Sequence, residues 1–327
     1  MRQEAGRAKV SWLVWASVVA AVLVLGVGAL AWWAFENDSA ATLDALDARF
    51  SRKRAALLLQ RARYGRAPAQ KLALYVPAGT APTRGFPLVV FFHGGGWHEG
   101  DPYDYGWIAR SLAERGYAVA LVGYRLNRDG RFPNMLLDSA AGTRKALDEA
   151  GKHRIDTKRI ALMGHSAGAY NAAMLTLDPR WLVGAGVPGA LLKGAVILAG
   201  PSDFYPFDKK SSINAMGHWP RPAETQPINF ARADAPPLLL VHGTADTIVR
   251  PRNATILAAA LTARGAPTRA TLIRGMGHIG LVVTLAKPFD RDRRVGEAVF
   301  AFLARVLPAG NSGDRRSAQN ETRPLTP

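Results

Sequence analysis

Short, almost purely apolar runs alternate along most of the chain with longer stretches in which apolar residues recur every three or four positions. The short runs predict strands at residues 71–76, 87–92, 117–122, 159–163, 194–199, 237–241 and 268–273. The longer stretches predict helices at residues 105–115, 134–150, 169–175, 253–264 and 295–306. Strands that are apolar on both faces are typical of a parallel sheet covered by helices on both sides. The pattern therefore predicts an α/β fold built on a mostly parallel sheet.

A different apolar pattern lies near the N-terminus, where residues 12–35 carry no charge over 24 positions. An α-helix needs about 20 such residues to cross the hydrocarbon core of a bilayer. Tryptophans lie near both ends of the stretch, as expected for rings that sit at the two membrane interfaces. The stretch therefore predicts a transmembrane anchor at residues 12–35.

Charges on the two sides of this segment predict its orientation. Three basic residues lie within residues 1–11, whereas four acidic residues follow the segment before any lysine or arginine. The positive-inside rule then places residues 1–11 in the cytoplasm and the rest of the chain in the periplasm, as a single-pass protein of the inner membrane. A cleaved signal peptide is the alternative, because residues 29–31 (Ala-Leu-Ala) resemble a cleavage site. We favour the uncleaved anchor, since the apolar core of a signal peptide usually has only about 7–15 residues.

The segment between the anchor and the first predicted strand is basic, and its apolar residues have helical spacing. We interpret residues 36–67 as a helical basic stalk, or as a helix that packs at the entrance of the domain. Residues 68–308 are the predicted globular domain, and the polar residues 309–327 are expected to form a disordered tail.

The formal net charge of +17 is concentrated partly between residues 49 and 66, where seven basic residues occur with no acidic one. Such a run can bind a nucleic acid or an anionic membrane. No aromatic interleaving and no recognised nucleic-acid motif accompanies it. We therefore interpret the run as a solvated helix face and expect no nucleic-acid partner.

The absence of cysteine restricts the chemistry further. It excludes disulfides, thiolate zinc sites and cysteine nucleophiles together. The sequence also has no Asp, Glu and His cluster with convincing metal-ligand spacing and no glycine loop of the kind that cradles phosphate. We therefore expect no metal and no cofactor.

The strongest chemical signal is the pentapeptide Gly-His-Ser-Ala-Gly at residues 164–168, which follows an apolar run and precedes a helical stretch. A strand, Gly-x-Ser-x-Gly and a helix in this order are the context of a nucleophile elbow, a sharp turn that exposes a serine. Glycines two residues on either side of the serine let the neighbouring elements approach without Cβ clashes. Ser166 is therefore the candidate nucleophile.

A second glycine-rich turn, His-Gly-Gly-Gly-Trp at residues 93–97, follows an apolar strand. Successive glycines allow backbone N–H groups to point into a site that side chains would obstruct. Such a turn supplies one part of an oxyanion hole, and the N–H group of Ala167, directly after the serine, supplies the other. A glycine-rich tight turn without a chemical role is the alternative for this segment.

An acid and a base should follow the serine in that order. Asp246 ends the polar loop after the apolar run at 237–241, and glycines precede His278 in a loop after the last predicted strand. We assign Ser166 as nucleophile, His278 as general base and then acid, and Asp246 as the group that orients the imidazole.

Five other residues compete for these roles. Asp203, which also follows a strand, is the strongest rival for the acid. We expect His165 and His242 to be structural, His93 to bond the loop backbone, and Asp138 to bond a loop next to its helix.

These motifs together resemble a known superfamily. The set comprises residues 93–97, Gly123-Tyr-Arg-Leu126, Pro133 with Asp138, residues 164–168, His242-Gly-Thr-Ala-Asp246 and Gly277-His278, in this order. It resembles the α/β-hydrolase carboxylesterases of the hormone-sensitive-lipase, BD-FAE and arylformamidase groups, over about residues 64–307. The resemblance implies an α/β-hydrolase fold with an eight-stranded, mostly parallel sheet, a serine hydrolase without a cofactor, and oxyanion donors at Gly94 and Gly95 beside Ala167. The membrane segment is an addition to this pattern, and residues 201–235 do not match it.

The resemblance and the triad predict a membrane-anchored serine esterase that acts on small apolar or aromatic esters. Candidate pocket walls are the aromatic residues Trp97, Tyr103, Tyr105, Trp107, Phe204, Tyr205, Phe207 and Trp219. Of these residues, we assign four to substrate binding: Trp97, Tyr103, Phe204 and Tyr205. An amidase, formamidase or peptidase with the same triad is the first alternative, and a catalytically silent binding protein is the second.

Overall fold

The computed structural model describes residues 15–18, 39–51, 56–266 and 268–308. The predicted cytoplasmic segment, most of the predicted anchor and the predicted tail lie outside these residues. Within the described part of the chain, no helix combines the length and the apolar composition that crossing a membrane requires.

The order of elements follows the alternation of strands and helices expected from the apolar pattern. The strands are β1 Ala56–Arg63, β2 Lys71–Pro77, β3 Phe86–Phe92, β4 Ala118–Val122, β5 Ile155–His165, β6 Leu192–Leu198, β7 Leu238–Gly243 and β8 Ala270–Ile273. The helices are α1 Ser39–Phe50, α2 Gly106–Ala113, α3 Asn134–Ala150, α4 Ala167–Leu177, α5 Arg180–Gly184, α6 Lys210–Met216, α7 Arg252–Ala263, α8 Gly280–Val283 and α9 Arg294–Val306. Short 3₁₀ turns lie at Pro102–Tyr105, Gly189–Leu191, Pro222–Thr225 and Pro227–Phe230.

All eight of these strands belong to one sheet, in the order β1-β2-β4-β3-β5-β6-β7-β8. Strand β2 is antiparallel to both of its neighbours, and the pairs from β4 across to β8 are parallel. The prediction of an eight-stranded, mostly parallel sheet is therefore confirmed. In such a sheet the carboxyl ends of the parallel strands meet at one edge, where the loops that follow β3, β5, β7 and β8 converge.

The sheet separates two apolar layers. Every residue of the central strand β3 is buried, because helices cover both of its faces. Leu88 and Val90 face the layer that contains α3, α4 and α7, whereas Val89 and Phe91 face the layer that contains α2 and α9. This alternation follows from the twofold periodicity of a strand, and it explains why the strand sequence is apolar at every position.

The predicted helical stalk at 36–67 is wrong in its second half. Helix α1 ends at Phe50, and Ala56–Arg63 form the edge strand β1, which pairs with β2 from Ala56 opposite Pro77 to Arg63 opposite Lys71. Most side chains of β1 are exposed or half-exposed, so the strand lacks the apolar pattern of its buried neighbours. Backbone hydrogen bonds to β2 stabilise it instead, and the sheet begins before the predicted domain boundary at residue 68.

Helix α1 packs on the domain, in agreement with the second of the two interpretations of this segment. Leu43 is buried in the same apolar layer as α2. Arg110 of α2 donates hydrogen bonds to Asp47, at 2.5 Å, and to Asp44, at 2.6 Å. Asp47 also accepts a hydrogen bond of 2.6 Å from the backbone N–H of Lys287. These contacts attach the N-terminal helix to two distant parts of the fold.

Candidate active site

Ser166 lies in a sharp turn between β5 and α4, with φ 55° and ψ −119°. A positive φ is strained for a residue with a side chain, so the surrounding contacts must hold the turn in place. A Cβ atom on Gly164 would lie 2.3 Å from the carbonyl oxygen of Gly168, and one on Gly168 would lie 2.1 Å from that of Phe92. Only glycine fits at these two positions, which explains the spacing of the pentapeptide.

The loops after β7 and β8 bring an acid and a base to this serine. His278 Nε2 lies 2.9 Å from Ser166 Oγ, and His278 Nδ1 lies 2.7 Å from Asp246 Oδ2. Asp246 and His278 are both buried. Because a carboxylate only accepts hydrogen bonds, Nδ1 carries the proton and Nε2 is free to accept the serine hydroxyl proton. The structure thus brings the three residues together in a continuous hydrogen-bonded chain.

The carboxylate of Asp246 is surrounded by hydrogen-bond donors. Its Oδ1 accepts hydrogen bonds of 2.9 Å from the N–H groups of Ile248 and Val249, and its Oδ2 lies 3.2 Å from His242 Nε2. Burial by itself would raise the pKa of Asp246, but the donors on His242 and His278 hold it well below its usual range. The carboxylate therefore stays ionised and can hold the imidazole in one orientation.

The glycine turn after β3 lies directly against the serine. A Cβ atom on Gly94 would lie 3.5 Å from Ser166 Cβ, and one on Gly95 would lie 2.1 Å from the carbonyl oxygen of Glu99. Gly95 has φ 101°, a conformation that side chains disfavour. The turn at Gly94 and Gly95 and the N-terminus of α4 at Ala167 thus lie close to the nucleophile, as an oxyanion hole requires.

Residues 72–261, more than half of the chain, match the BD-FAE family. The chain belongs to the BD-FAE family. This membership agrees with the resemblance read from the motifs and makes the protein a carboxylesterase-like α/β hydrolase.

Several curated proteins resemble this BD-FAE family member. Isoprenylcysteine alpha-carbonyl methylesterase ICME from Arabidopsis thaliana is 27% identical over 67% of this chain and 56% of its own length. Kynurenine formamidase from Danio rerio is 32% identical over 44% of this chain and 46% of its own length. A probable ICME from Oryza sativa subsp. japonica is 36% identical over 35% of this chain and 27% of its own length. The chain therefore spans between about a quarter and just over half of these relatives.

Solved esterases share the fold at lower identity. Esterase B from Lactobacillus Rhamnosis (HN001) superimposes with a TM-score of 0.67 at 19% identity, over 90% of this chain and 98% of that one. A thermostable esterase from Pseudomonas putida ECU1011 gives a TM-score of 0.62 at 22% identity, over 81% of this chain and 87% of that one. These likenesses confirm the α/β-hydrolase fold of the BD-FAE family member.

His165, next to the nucleophile, supports the loop of His278. Its Nε2 lies 3.0 Å from the backbone carbonyl oxygen of His278 and donates to it. Burial lowers the pKa of His165 to about 3, so the imidazole is neutral near pH 7. The expectation of a structural role agrees with this contact, although the ring lies beside His278, at 4.8 Å between ring centroids.

His93 is also neutral and holds the glycine turn. Its Nδ1 donates a hydrogen bond of 2.7 Å to the carbonyl oxygen of Gly94, and its ring stacks on Tyr124 at 4.5 Å. Tyr124 in turn donates a hydrogen bond of 2.8 Å to the carbonyl oxygen of His93. Burial lowers the pKa of His93 to about 4. The residue thus bonds loop backbone, as its position in the sequence indicates.

The rival acids lie elsewhere. Asp203 accepts a hydrogen bond of 3.1 Å from Arg252, whereas Asp138 accepts hydrogen bonds of 2.8 Å to both of its oxygens from Arg125. Asp138 therefore fixes the loop after β4. Among the hydrogen bonds of the described residues, the one carboxylate that reaches His278 belongs to Asp246.

A cavity of about 970 Å³ opens at Ser166, and Trp97, Phe204 and Tyr205 line it as predicted. The assignment of Tyr103 to the pocket requires correction. Tyr103 is not among the residues that line the cavity, and its ring instead contacts two cations, with Arg61 Cζ 4.5 Å and Lys71 Nζ 4.4 Å from the ring centroid.

Of the other candidate wall residues, two line the cavity and two pack outside it. Tyr105 and Trp107 line the cavity, whereas Phe207 packs behind Phe204 and Trp219 packs on Phe132. The segment 201–235, which matches no motif, contributes Phe204 and Tyr205 to the wall. The described residues contain no group of three His, Asp or Glu side chains arranged to hold a metal.

His242, which was expected to be structural, contacts Asp246; sequence reasoning did not anticipate this contact, for which the spacing of four residues across a turn after β7 was the available signal. Sequence reasoning also missed two residues that line the cavity. Ala40 and Leu43 of α1 line the cavity, and no local feature of the sequence indicates this position.

Proposed function

We propose that this BD-FAE family member hydrolyses carboxylic esters through Ser166, His278 and Asp246. The observation that carries the proposal is the hydrogen-bonded chain from Ser166 Oγ through the imidazole of His278 to Asp246, at a strained turn that opens into a large cavity. This arrangement is that of a serine hydrolase triad, which is recognised by geometry rather than by position in the sequence.

The geometry supports a mechanism in two halves. Ser166 Oγ attacks the ester carbonyl carbon while His278 Nε2 takes the hydroxyl proton, and the C–O bond to the alcohol breaks as the imidazolium returns that proton to the leaving oxygen. Water, deprotonated by the same nitrogen, then attacks the acyl-enzyme and releases the acid and the free serine. Asp246 stays ionised and stabilises the imidazolium in both halves.

The negative charge of each tetrahedral intermediate needs donors close to the serine. We assign this role to the N–H groups of Gly94, Gly95 and Ala167, since the glycine turn and the N-terminus of α4 both lie against Ser166. One such donor contributes about 10²–10³ to the rate. No metal and no cofactor enters this mechanism.

Hydrolysis of p-nitrophenyl acetate, butyrate and decanoate by the full chain tests the proposal, together with labelling by a fluorophosphonate probe. We expect Ser166→Ala to abolish both turnover and labelling. Ser111→Ala in α2 is the matched control, because Ser111 lies outside the cavity. A folded chain that neither hydrolyses these esters nor reacts with the probe would instead indicate a hydrolase-fold binding protein.

The walls of the cavity support a preference for small apolar or aromatic esters. Trp97 and Phe204 lie parallel, with ring centroids 6.3 Å apart, and Tyr205 is exposed beside them. The lining also carries charged side chains, among them Asp203, Lys209 and Arg252, so the preference rests on these aromatic rings, which favour apolar groups of this kind.

A formamidase is the second candidate, because the chain resembles a kynurenine formamidase over 44% of its length. The triad that hydrolyses an ester can also hydrolyse an amide. Turnover of phenyl formate and of formanilide, which differ only in the leaving atom, separates the two activities. A larger kcat/KM for formanilide would favour the formamidase.

We further propose that residues 12–35 anchor the protein in the inner membrane, with the domain in the periplasm. The uncharged 24-residue stretch and the charge difference across it support this proposal. The chain that follows also presents adjacent apolar and basic side chains, since Leu57, Leu58 and Leu59 of β1 are exposed beside Arg61. Such a surface suits an anionic bilayer.

The natural absence of cysteine makes the topology directly measurable. Val183→Cys introduces a thiol on the exposed side of α5, and Ala5→Cys introduces one before the apolar stretch. We expect a membrane-impermeant maleimide to label the first variant in intact spheroplasts and the second only after lysis. The reverse pattern, or labelling of both before lysis, would reject the proposed topology.

A further inference from the structure

One wall of the active-site cavity comes from a helix outside the part of the chain that defines the family. Ala40 and Leu43 of α1 line the same cavity as Ser166 and His278. The family match begins at residue 72, twenty-two residues after the end of α1. The contribution of α1 to the site is therefore a property of this chain that the family membership does not supply.

The position of α1 against the cavity is fixed by charge pairs. Arg110 holds Asp44 and Asp47 together, and Asp47 is almost completely buried, with 1% of its surface exposed. Ser51 donates a further hydrogen bond of 2.9 Å to Asp47. A Cβ atom on Gly106 would lie 2.8 Å from Asp44 Oδ1, so the glycine leaves space for this carboxylate. These contacts hold α1 against the domain beside the cavity.

The wall that α1 completes is apolar. Leu43 belongs to the same apolar cluster as Tyr105 and Trp107, which follow the glycine turn, and Val282 of α8. All four residues also line the cavity. Asp104, next to Tyr105, also lines the cavity, and charged side chains such as Asp203, Lys209 and Arg252 occur on the rest of the lining. The cavity therefore has a distinct apolar side, between α1 and α8.

We propose that this side is a subsite for an aliphatic chain of the ester, either on the acyl or on the alcohol group, and that Leu43 supplies an apolar contact to this chain. The inference rests on the proposed esterase function and extends it to a substrate class. A cavity of about 970 Å³ is much larger than an acetyl ester needs. Each methylene that leaves water for an apolar wall strengthens binding about fourfold, so the subsite adds esters with a medium-length chain to the small apolar or aromatic esters proposed above.

Substitutions on α1 test the subsite, with the ratio of kcat/KM for a long ester to that for a short ester as the readout. The two substrate series are p-nitrophenyl decanoate against acetate, and octyl acetate against methyl acetate. We expect Leu43→Trp, which fills the subsite, to lower the ratio at least tenfold in one series. Leu43→Ala, which removes part of the wall, should lower it about fourfold.

Leu46 provides the matched control, because it lies on the same helix and is 41% exposed. Leu46→Trp and Leu46→Ala should leave both ratios unchanged within about twofold. Ratios that stay unchanged in both series for both Leu43 variants would overturn the subsite. Leu43→Ala keeps the test informative if the larger tryptophan prevents folding.

A binding measurement separates failure of the subsite from failure of the esterase proposal. Calorimetric titration of the full chain with octanoate and with 1-octanol requires no turnover. We expect Leu43→Trp, but not Leu46→Trp, to weaken the binding of one of these ligands at least tenfold. If the unmodified chain binds neither ligand, or if both variants bind equally, the subsite does not exist, whether or not esters are hydrolysed.

Discussion

At the scale of single residues, the site depends on which ring nitrogen carries the proton in each of three buried imidazoles. His278 presents a free nitrogen to Ser166, whereas His165 donates to the backbone of the His278 loop and His242 lies beside Asp246. Each contact fixes one ring in one tautomer. The catalytic imidazole is therefore the one ring of the three with a nitrogen directed at a reactive hydroxyl.

The identity of the acid leads to a first prediction. Asp246→Asn keeps the size of the side chain but removes the charge that orients His278, so kcat for ester hydrolysis should fall about 10³–10⁴-fold. Asp203→Asn, the matched variant of the rival acid, should change kcat far less, because Asp203 pairs with Arg252. A larger loss from Asp203→Asn would transfer the role of the acid to that residue.

The burial of His93 leads to a second prediction, about the pH dependence of stability. Burial lowers the pKa of His93 to about 4, whereas an exposed histidine of the unfolded chain titrates near 6.5. Below about pH 6.5 the unfolded state therefore binds a proton that the folded state does not, and stability falls with acid until about pH 4. From pH 7 to pH 5, this residue should remove about 2 kcal/mol from the free energy of unfolding.

Urea unfolding at the two pH values measures this effect. His93→Gln should reduce the pH-dependent loss of stability by about 2 kcal/mol, since glutamine does not titrate. His153→Gln is the control, because His153 is exposed. An identical pH dependence in His93→Gln and in the unmodified chain would contradict a neutral, buried His93.

At the scale of secondary-structure elements, the strand β5 and the helix α4 are joined by a turn that tolerates only glycine at two positions. Gly168 touches the carbonyl oxygen of Phe92 at the end of β3, so α4 packs closely on the sheet. The same close packing brings the glycine turn after β3 beside Ser166. The geometry of the nucleophile and that of the oxyanion donors therefore have a common origin.

A third prediction follows for Gly168→Ala. The added Cβ atom would lie 2.1 Å from the oxygen of Phe92, and relief of this clash should cost about 3 kcal/mol or more of stability. Gly184→Ala is the matched substitution, since a Cβ atom there meets nothing within 4 Å and alanine favours a helix by up to about 1 kcal/mol. Thermal unfolding should show a lowered Tm for the first variant alone, and equal Tm values would contradict the packing.

At the scale of the whole molecule, helix α1 connects the N-terminal part of the chain to the active-site cavity. Asp47 contacts Arg110 in α2 and the backbone of Lys287, which is 240 residues away in the sequence. Leu43, one turn earlier in the helix, reaches the cavity. The same helix thus stabilises the fold and limits the substrate space.

A fourth prediction concerns this connection. Arg110→Met leaves the buried carboxylate of Asp47 without its charged partner, which should cost about 3–5 kcal/mol in the free energy of unfolding. Arg144→Met breaks an exposed pair with Asp148 and should cost less than about 1 kcal/mol. Urea unfolding compares the two variants. Similar losses for both would show that the contact at Asp47 does not hold α1 in place.

The amino-acid sequence by itself determined most of the sheet and the residues of the candidate triad. Apolar runs predicted seven of the eight described strands, and the central strand β3 is apolar throughout because it is buried on both faces. The glycines around Ser166 and the order of Ser166, Asp246 and His278 are also local features, since a tight turn requires specific residues at fixed spacing.

Only the tertiary structure decided the rest. Residues 56–63 form a strand because β2 offers a pairing edge, although the apolar residues from Leu43 to Leu58 have roughly helical spacing. Tyr103 lies outside the cavity, where two cations from distant parts of the chain contact its ring. Leu43 lines the cavity because Arg110 holds α1 beside it. Each of these outcomes depends on partners far away in the sequence, and a local pattern of residues carries no information about them.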